Sequence, residues 1–297
     1  MNLETLSGVH TAMATPMDDQ GEIAWGDFEK LVHRQIEEGI NGLVAVGTTG
    51  ESPTLNHEEH MQVVRKTVEL AAGRVPVMAG TGSNSTREAE SLTRQADEAG
   101  ADSLLLVAPY YNKPTQEGLL NHFSRIAEVT NKPIVLYSIP GRCVIDIGVD
   151  TVAKLHERYP HVCAIKEAGG TPERVSQLKQ VMGDDFVIIS GDDSQTLPFM
   201  SVGAKGVISV ASNVVVKDLV EMVKLANAND FRSARAIHER YYKLFGTLFI
   251  ESSPAPVKHA LKLMGHFSTN KVRAPLASMS EANKPVLEAV LKQLNLI

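Results

Sequence analysis

Short apolar segments alternate with longer amphipathic segments over the first two thirds of this 297-residue chain. Eight of the short segments are rich in β-branched residues and have the length of strands. Strands are predicted at residues 8–12, 42–46, 75–79, 103–107, 134–137, 162–166, 186–190 and 206–209. Amphipathic helices are predicted between them at residues 25–38, 57–72, 86–99, 116–129 and 172–181. This alternation predicts an α/β protein, a (β/α)8 TIM barrel.

Several of these helices carry start and stop signals. Asn56 followed by Glu59 is a capping box, and Pro172 suits a first helical turn. Gly39 and Gly100 suit the position just after a helix, where the backbone turns left-handed.

An open, doubly wound sheet would also alternate strands with helices, but its nucleotide-binding signature is missing. The glycine-rich segment at residues 80–85 is neither GxGxxG nor a Walker loop. After residue 214 only helices are predicted, at 216–228, 231–249, 256–264 and 281–294. We therefore expect a barrel over residues 1–228 and a helical C-terminal appendage over residues 229–297, packed on the barrel or between subunits.

Composition excludes several classes of protein. A net charge of −6 argues against a nucleic-acid-binding surface. The chain has no run of about 18 apolar residues and no secretory leader pattern, so we expect a cytoplasmic protein without membrane association. The two cysteines, Cys143 and Cys163, offer neither a disulfide framework nor a metal-ligand spacing.

Lys166 closes the apolar run at residues 162–165, an unusual position for a charged side chain. Burial would favour its neutral amine, the form that attacks carbonyl groups. Alternatively, the side chain reaches water or pairs with Glu167. This segment alone favours neither interpretation.

Other reactive side chains follow the predicted strands of the same barrel. Because active sites of such barrels lie at the carboxyl ends of the strands, these side chains would converge. They are Thr48, Thr49, Tyr110, Tyr111 and Tyr137, which would join Lys166. Each could be an ordinary turn or packing residue alone, but together they indicate an active site.

A series of longer motifs covers nearly the whole chain. They are GTTGES at 47–52, LNHEEH at 55–60, AGTGSNST at 79–86, APYYNKPTQEG at 108–118, LYSIPGR at 136–142, IKEAGG at 165–170, SGDD at 190–193 and GVISV at 206–210. In order and spacing they resemble the pyruvate-dependent aldolase family of dihydrodipicolinate synthases and N-acetylneuraminate lyases.

The resemblance implies a Schiff base between Lys166 and pyruvate, giving an enamine that attacks L-aspartate 4-semialdehyde. It implies proton transfer by Tyr137, with Thr48, Thr49 and Tyr111 as the relay, and pyruvate contacts from Thr49 and the Ile208 carbonyl. No cofactor or metal is implied. In the family pattern the tyrosine equivalent to Tyr111 crosses a subunit interface, which implies a homotetramer built as a dimer of tight dimers.

Arg142 distinguishes members of this family. The resemblance implies that its guanidinium binds the carboxylate of the semialdehyde, since it can grip a carboxylate with two hydrogen bonds. The commoner family loop reads Asn-x-Pro-x-Arg-Thr-Gly, whereas this chain has Ser138 and Cys143-Val144 at the variable positions. These differences from the family loop lie where the resemblance implies that L-aspartate 4-semialdehyde, the second substrate, is recognised.

His57 and His60 lie one turn apart, but they do not form an HExxH motif and no third metal ligand is evident. Without further context, the two histidines would be interpreted as polar residues on the surface of a helix. In lysine-inhibited members of the family, the matching positions form an allosteric L-lysine site at the tight-dimer interface. The residues that fit that pattern are Ser52, Pro53, His57, His60, Asn84, Glu88 and Tyr110.

Three alternatives stay open at this stage. A lyase acting on a keto-sugar acid would use the same Schiff base, although Arg142 argues against it. A catalytically silent lysine-binding barrel would be expected to have lost Lys166 or its relay. A metal-dependent aldolase would need a cluster of ligands at the strand ends.

Overall fold

Eight parallel strands form a closed barrel in chain order in the computed structural model, which describes residues 3–297. The strands are β1 Gly8–Ala12, β2 Gly42–Ala45, β3 Val77–Gly80, β4 Ser103–Val107, β5 Ile134–Ser138, β6 Val162–Glu167, β7 Val187–Ser190 and β8 Gly206–Ser209. The predicted fold class is therefore confirmed.

Helices follow the strands around the barrel and continue beyond it. They are α1 Trp25–Glu37, α2 His57–Ala71, α3 Thr86–Glu98, α4 Gln116–Ala127, α5 Pro140–Cys143, α6 Val149–Arg158, α7 Pro172–Met182, α8 Thr196–Met200, α9 Val216–Asn227, α10 Phe231–Thr247, α11 Ala255–Leu263 and α12 Lys284–Gln293. The capping box of α2 is present, and Gly39 and Gly100 adopt left-handed backbone conformations.

Some predicted boundaries were wrong. The third strand begins at Val77 rather than at residue 75, because Pro76 has no amide hydrogen for the ladder. The strands that carry Tyr137 and Lys166 each extend one residue further than predicted, and β7 starts one residue later. Helices α5, α6 and α8 were not predicted from the sequence.

Side chains alternate between the two faces of the barrel wall. Those pointing outward pack under the helices in the main hydrophobic core. Those pointing inward form a smaller cluster that fills the barrel, including Ala12, Val44, Tyr137 and Ile208. The filled interior leaves the strand ends as the place where a small molecule can reach buried side chains.

The C-terminal helices contact the barrel rather than extending from it. On α10, the Tyr241 hydroxyl donates to Asp218 of α9 over 2.8 Å. On α11, Lys258 forms an ion pair with Glu51, which follows β2. The division at residues 228 and 229 stays a prediction. No helix within residues 3–297 is long and apolar enough to cross a membrane.

Candidate active site

Lys166 lies near the carboxyl end of β6 with only 6% of its surface exposed. Burial lowers the pKa of its amine to about 7; the Asp193 carboxylate opposes this shift and the Arg142 guanidinium adds to it. The interpretation of Lys166 as a snorkelling surface lysine was wrong. Near neutral pH, about half of the amine is therefore in the nucleophilic form.

Tyr137 lies beside Lys166 on the neighbouring strand of the barrel. The two residues are register partners on β5 and β6, and the Lys166 nitrogen lies 4.1 Å from the centre of the Tyr137 ring. Burial raises the pKa of the Tyr137 hydroxyl to about 12, against opposing effects of Arg142 and of a hydrogen bond with Thr48. The phenol therefore keeps its proton at neutral pH and can act as an acid beside the lysine.

Thr48 and Thr49 lie on the tight loop after β2, between two residues with left-handed backbone conformations. Val46 has φ of 55° and Glu51 has φ of 60°. Such values are rare for residues other than glycine and rarer for β-branched ones, so the loop is strained. The Thr15 hydroxyl donates to the Gly50 carbonyl over 2.8 Å and helps to hold it.

A small cavity of about 50 Å³ joins these side chains. Its lining comes from the strand ends, from the loops after them and from the C-terminal region. The lining residues are Ala12, Val44, Gly47, Thr48, Thr49, Leu105, Tyr137, Ile139, Arg142, Lys166, Gly191, Val210, Phe249 and Ser253. Five predicted site residues, Lys166, Tyr137, Thr48, Thr49 and Arg142, thus share one cavity.

Two of the predicted catalytic and substrate-binding residues lie outside this lining. Ile208 is buried within the barrel cluster, whereas Val210, two residues further along the chain, lines the cavity. Tyr111 is 89% exposed, with φ of 73°, and does not line the cavity of this single chain.

A second, larger cleft of about 690 Å³ lies beside α2 and α3. Its lining includes six of the seven residues predicted for an L-lysine site, namely Ser52, Pro53, His57, His60, Glu88 and Tyr110. Asn84 does not line it; its carbonyl accepts a hydrogen bond from the Asn112 side chain over 2.9 Å.

Two side chains of this cleft, His57 and Ser83, contact the Glu88 carboxylate. The His57 ring nitrogen lies 2.5 Å from a Glu88 oxygen, and the Ser83 hydroxyl donates to the other Glu88 oxygen over 2.7 Å. The Ser83 bond lowers the pKa of Glu88, partial burial opposes this, and His57 adds to the lowering. His60 contacts the Gly80 carbonyl over 2.7 Å, and burial lowers the pKa of its ring. Glu88 is therefore an anionic group on the lining of the cleft, held in place by His57 and Ser83.

Comparison with known proteins gives a match to the dihydrodipicolinate synthetase family over residues 5–294. The chain belongs to this family. Among the members similar to it is the 4-hydroxy-tetrahydrodipicolinate synthase of Persephonella marina, 48% identical over 98% of this chain and 99% of that protein.

Solved structures of the dihydrodipicolinate synthetase family share the fold closely. The chloride-inhibited dihydrodipicolinate synthase of Acinetobacter baumannii complexed with pyruvate is 43% identical, with a TM-score of 0.95 over 98% of this chain and 99% of that one. The enzyme of Cyanidioschyzon merolae with lysine bound is 37% identical, with a TM-score of 0.95 over 99% of both chains.

Asp193 of this dihydrodipicolinate synthetase family member was not predicted as a site residue, although it lies in the SGDD motif. The buried Asp193 carboxylate accepts hydrogen bonds from the Ser209 hydroxyl and from the amides of Val210 and Ala211, at 3.1 and 3.0 Å. Burial nevertheless raises its pKa to about 6. Asp193 is a negative charge near Lys166 that favours a cationic nitrogen there.

The contribution of the C-terminal region was also missed. Phe249 and Ser253 lie beyond the predicted barrel, yet both line the cavity of Lys166. Within residues 3–297, no group of three or more His, Cys, Asp or Glu side chains is arranged to hold a metal ion.

Proposed function

We propose that this protein is a 4-hydroxy-tetrahydrodipicolinate synthase of lysine and diaminopimelate biosynthesis, which condenses pyruvate with L-aspartate 4-semialdehyde. The observation that carries the proposal is the pairing of buried Lys166 with Tyr137 in a cavity that also contains Arg142. The family relatives that bear this name support the choice of reaction.

The first half of the reaction forms an enamine. The neutral Lys166 amine attacks C2 of pyruvate, and loss of one water leaves a cationic imine. The nearby Asp193 carboxylate favours this positive charge. The Tyr137 ring lies beside the Lys166 nitrogen, which supports a role for its hydroxyl as the group that gives a proton to the departing oxygen. Thr48, which is hydrogen-bonded to Tyr137, would be the next member of the relay. Loss of a methyl proton then gives the enamine.

The second half forms a carbon–carbon bond and frees the enzyme. The enamine carbon attacks the aldehyde carbon of the semialdehyde, whose oxygen takes up a proton. The amino group of the same substrate then attacks the imine carbon, and Lys166 departs as an amine. Arg142, exposed on α5 at the cavity wall, is suited to bind the substrate carboxylate.

Trapping with borohydride tests the Schiff base. Pyruvate plus sodium borohydride should attach a reduced adduct to Lys166, as located by peptide mass spectrometry, and Lys166→Ala should abolish it. Labelling at another lysine in the wild-type chain would refute the assignment.

Turnover with L-aspartate 4-semialdehyde tests the choice of second substrate. Arg142→Ala should raise the KM of the semialdehyde by at least about tenfold, since a charged hydrogen bond is lost. Arg158→Ala, a matched change at a surface arginine, should have no such effect. Cleavage of a keto-sugar acid in preference to condensation would favour the alternative lyase.

We also propose feedback inhibition by L-lysine bound in the cleft beside α2 and α3. The ligand ammonium would be recognised by Glu88, and Tyr110 of the cleft precedes the proposed relay residue Tyr111. Inhibition of turnover by L-lysine is the expected result; an unchanged rate at millimolar L-lysine would contradict it.

We also propose that the protein is a cytoplasmic homotetramer, built as a dimer of dimers. An almost fully exposed Tyr111 is suited to reach a neighbouring subunit. Sedimentation equilibrium should give four times the chain mass of 32.2 kDa. A monomer with full activity would exclude a relay completed between subunits.

A further inference from the structure

The carboxylate of Glu51 is buried among positively charged and amide groups of the C-terminal region. Glu51 and Lys258 form an ion pair in which both side chains are 0% exposed. The Arg273 amide donates to the other oxygen of Glu51 over 2.9 Å, and Lys258 also donates to the Lys271 carbonyl over 2.8 Å. Two segments more than 200 residues apart in the chain are thus joined through one carboxylate.

Glu51 ends the strained loop that carries Thr48 and Thr49. Val46 and Glu51, which bracket these threonines, both have positive φ. Non-glycine residues keep such conformations only where surrounding contacts hold them. The ion pair with Lys258 is a strong contact of this kind, because a buried carboxylate that loses its partner is poorly tolerated.

A second contact from the same segment supports the next stretch of chain. The Arg273 guanidinium donates to both oxygens of Glu59, over 2.7 and 2.6 Å, and to the Thr54 carbonyl over 3.0 Å. Arg273 therefore holds the chain on the far side of Glu51, and the loop is fixed to the C-terminal region at several points.

We propose that Lys258, acting through Glu51, is a positioning residue that holds the loop at residues 47–51 so that Thr48 meets Tyr137. This proposal rests on the proposed function, because the Tyr137–Thr48 relay is the machinery that the loop would align. Lys258 itself lies outside the lining of the Lys166 cavity. Its loss should therefore slow the proton transfers of the reaction, whereas Lys166 itself stays able to form an adduct with pyruvate.

The test compares Lys258→Met with the double variant Glu51→Gln/Lys258→Met. The single change leaves a buried charge without a partner, whereas the double change removes both charges and keeps an oxygen that can accept from the Arg273 amide. Lys262→Met, an exposed lysine on the same helix, is the matched control. The readouts are Tm, kcat, exchange of the pyruvate methyl protons in D2O, and amide exchange at residues 47–54.

We expect Lys258→Met to lower Tm, to speed amide exchange at residues 47–54 and to reduce kcat and methyl exchange by about tenfold to a hundredfold. In the double variant Tm should recover, whereas the rapid amide exchange and the low kcat should persist. Borohydride trapping on Lys166 should survive in both variants.

Recovery of kcat and of amide protection together with Tm in the double variant would overturn the proposal, since the pair would then serve stability alone. Unchanged amide exchange in Lys258→Met would also overturn it. If the proposed function itself is wrong, the wild-type chain will form no adduct on Lys166. Amide exchange still tests the positioning role in that case, because it measures the mobility of the loop without any reaction.

Discussion

The side-chain nitrogen of Lys166 lies 4.1 Å from the centre of the Tyr137 ring, at matching positions on neighbouring strands. The face of an aromatic ring favours a cation, whereas burial favours the neutral amine. Burial dominates here, because it brings the pKa of Lys166 down to about 7. This relationship gives the protein a nucleophile at neutral pH with a protonated phenol beside it.

A pH profile of kcat/KM for pyruvate should show this titration. Below pH 7 the Lys166 amine becomes protonated and cannot attack, so kcat/KM should fall about tenfold per pH unit. No fall should occur up to pH 9, because burial raises the pKa of Tyr137 to about 12. A flat profile down to pH 5.5 would contradict the assigned role of Lys166.

The Asp193→Asn variant tests whether Lys166 is the group whose titration limits kcat/KM at low pH. The Asp193 carboxylate raises the pKa of Lys166, so its removal should shift the acid limb of the profile to lower pH. If the limb instead reflected titration of the Asp193 carboxyl, whose pKa burial raises to about 6, it would disappear in this variant.

Replacing Lys166 should make the protein more stable. Because the pKa of Lys166 is lower in the folded chain than in the unfolded chain, its contribution is destabilising below pH 7 and disappears as the pH rises toward 10.5. Lys166→Met should therefore raise the free energy of unfolding at pH 7 by about 1–4 kcal/mol.

Chemical denaturation from pH 6 to pH 10 checks this prediction. The difference between Lys166→Met and wild type should shrink as the pH rises. Lys292→Met, at an exposed lysine of α12, should change stability by less than about 0.5 kcal/mol at every pH. A destabilised Lys166→Met variant would show that the amine makes a stabilising contact that outweighs its burial.

The barrel and the residues on its strand ends could be predicted because their signals are local. A strand buried on both faces is a continuous apolar run, so Lys166 stands out at its end, and parallel strands bring Tyr137 beside it. Lys258 carries no such signal: it occupies an ordinary amphipathic helix, and its burial depends on Glu51, 207 residues earlier. The conformation of Val46 and the cavity position of Ser253 likewise depend on packing between distant segments.

Tyr111 should matter for turnover and little for the stability of the fold. Its side chain is 89% exposed, so Tyr111→Phe removes a hydroxyl that this chain does not bury. As a member of a proton relay, that hydroxyl should contribute about a hundredfold to kcat. Steady-state kinetics and thermal unfolding of Tyr111→Phe measure the two effects separately. Full activity in the variant would remove Tyr111 from the relay, and Tyr242→Phe, at another exposed tyrosine, is the control.

Glu88 should decide the response to L-lysine. Its carboxylate lies in the 690 Å³ cleft with His57 and Ser83 as partners. The hydrogen bond from Ser83, more than the contact with His57, lowers the pKa of Glu88, so this group is anionic at neutral pH. An incoming ammonium group would share this carboxylate with the His57 ring. Glu88→Gln keeps the shape and removes the charge, so the concentration of L-lysine that halves the rate should rise by at least about tenfold. Each rate is measured relative to the uninhibited rate of the same variant. Glu98→Gln, an exposed glutamate on the same helix, should respond to L-lysine as wild type does. If Glu88→Gln also responds as wild type, the ammonium group of L-lysine is bound elsewhere and the cleft is not its site.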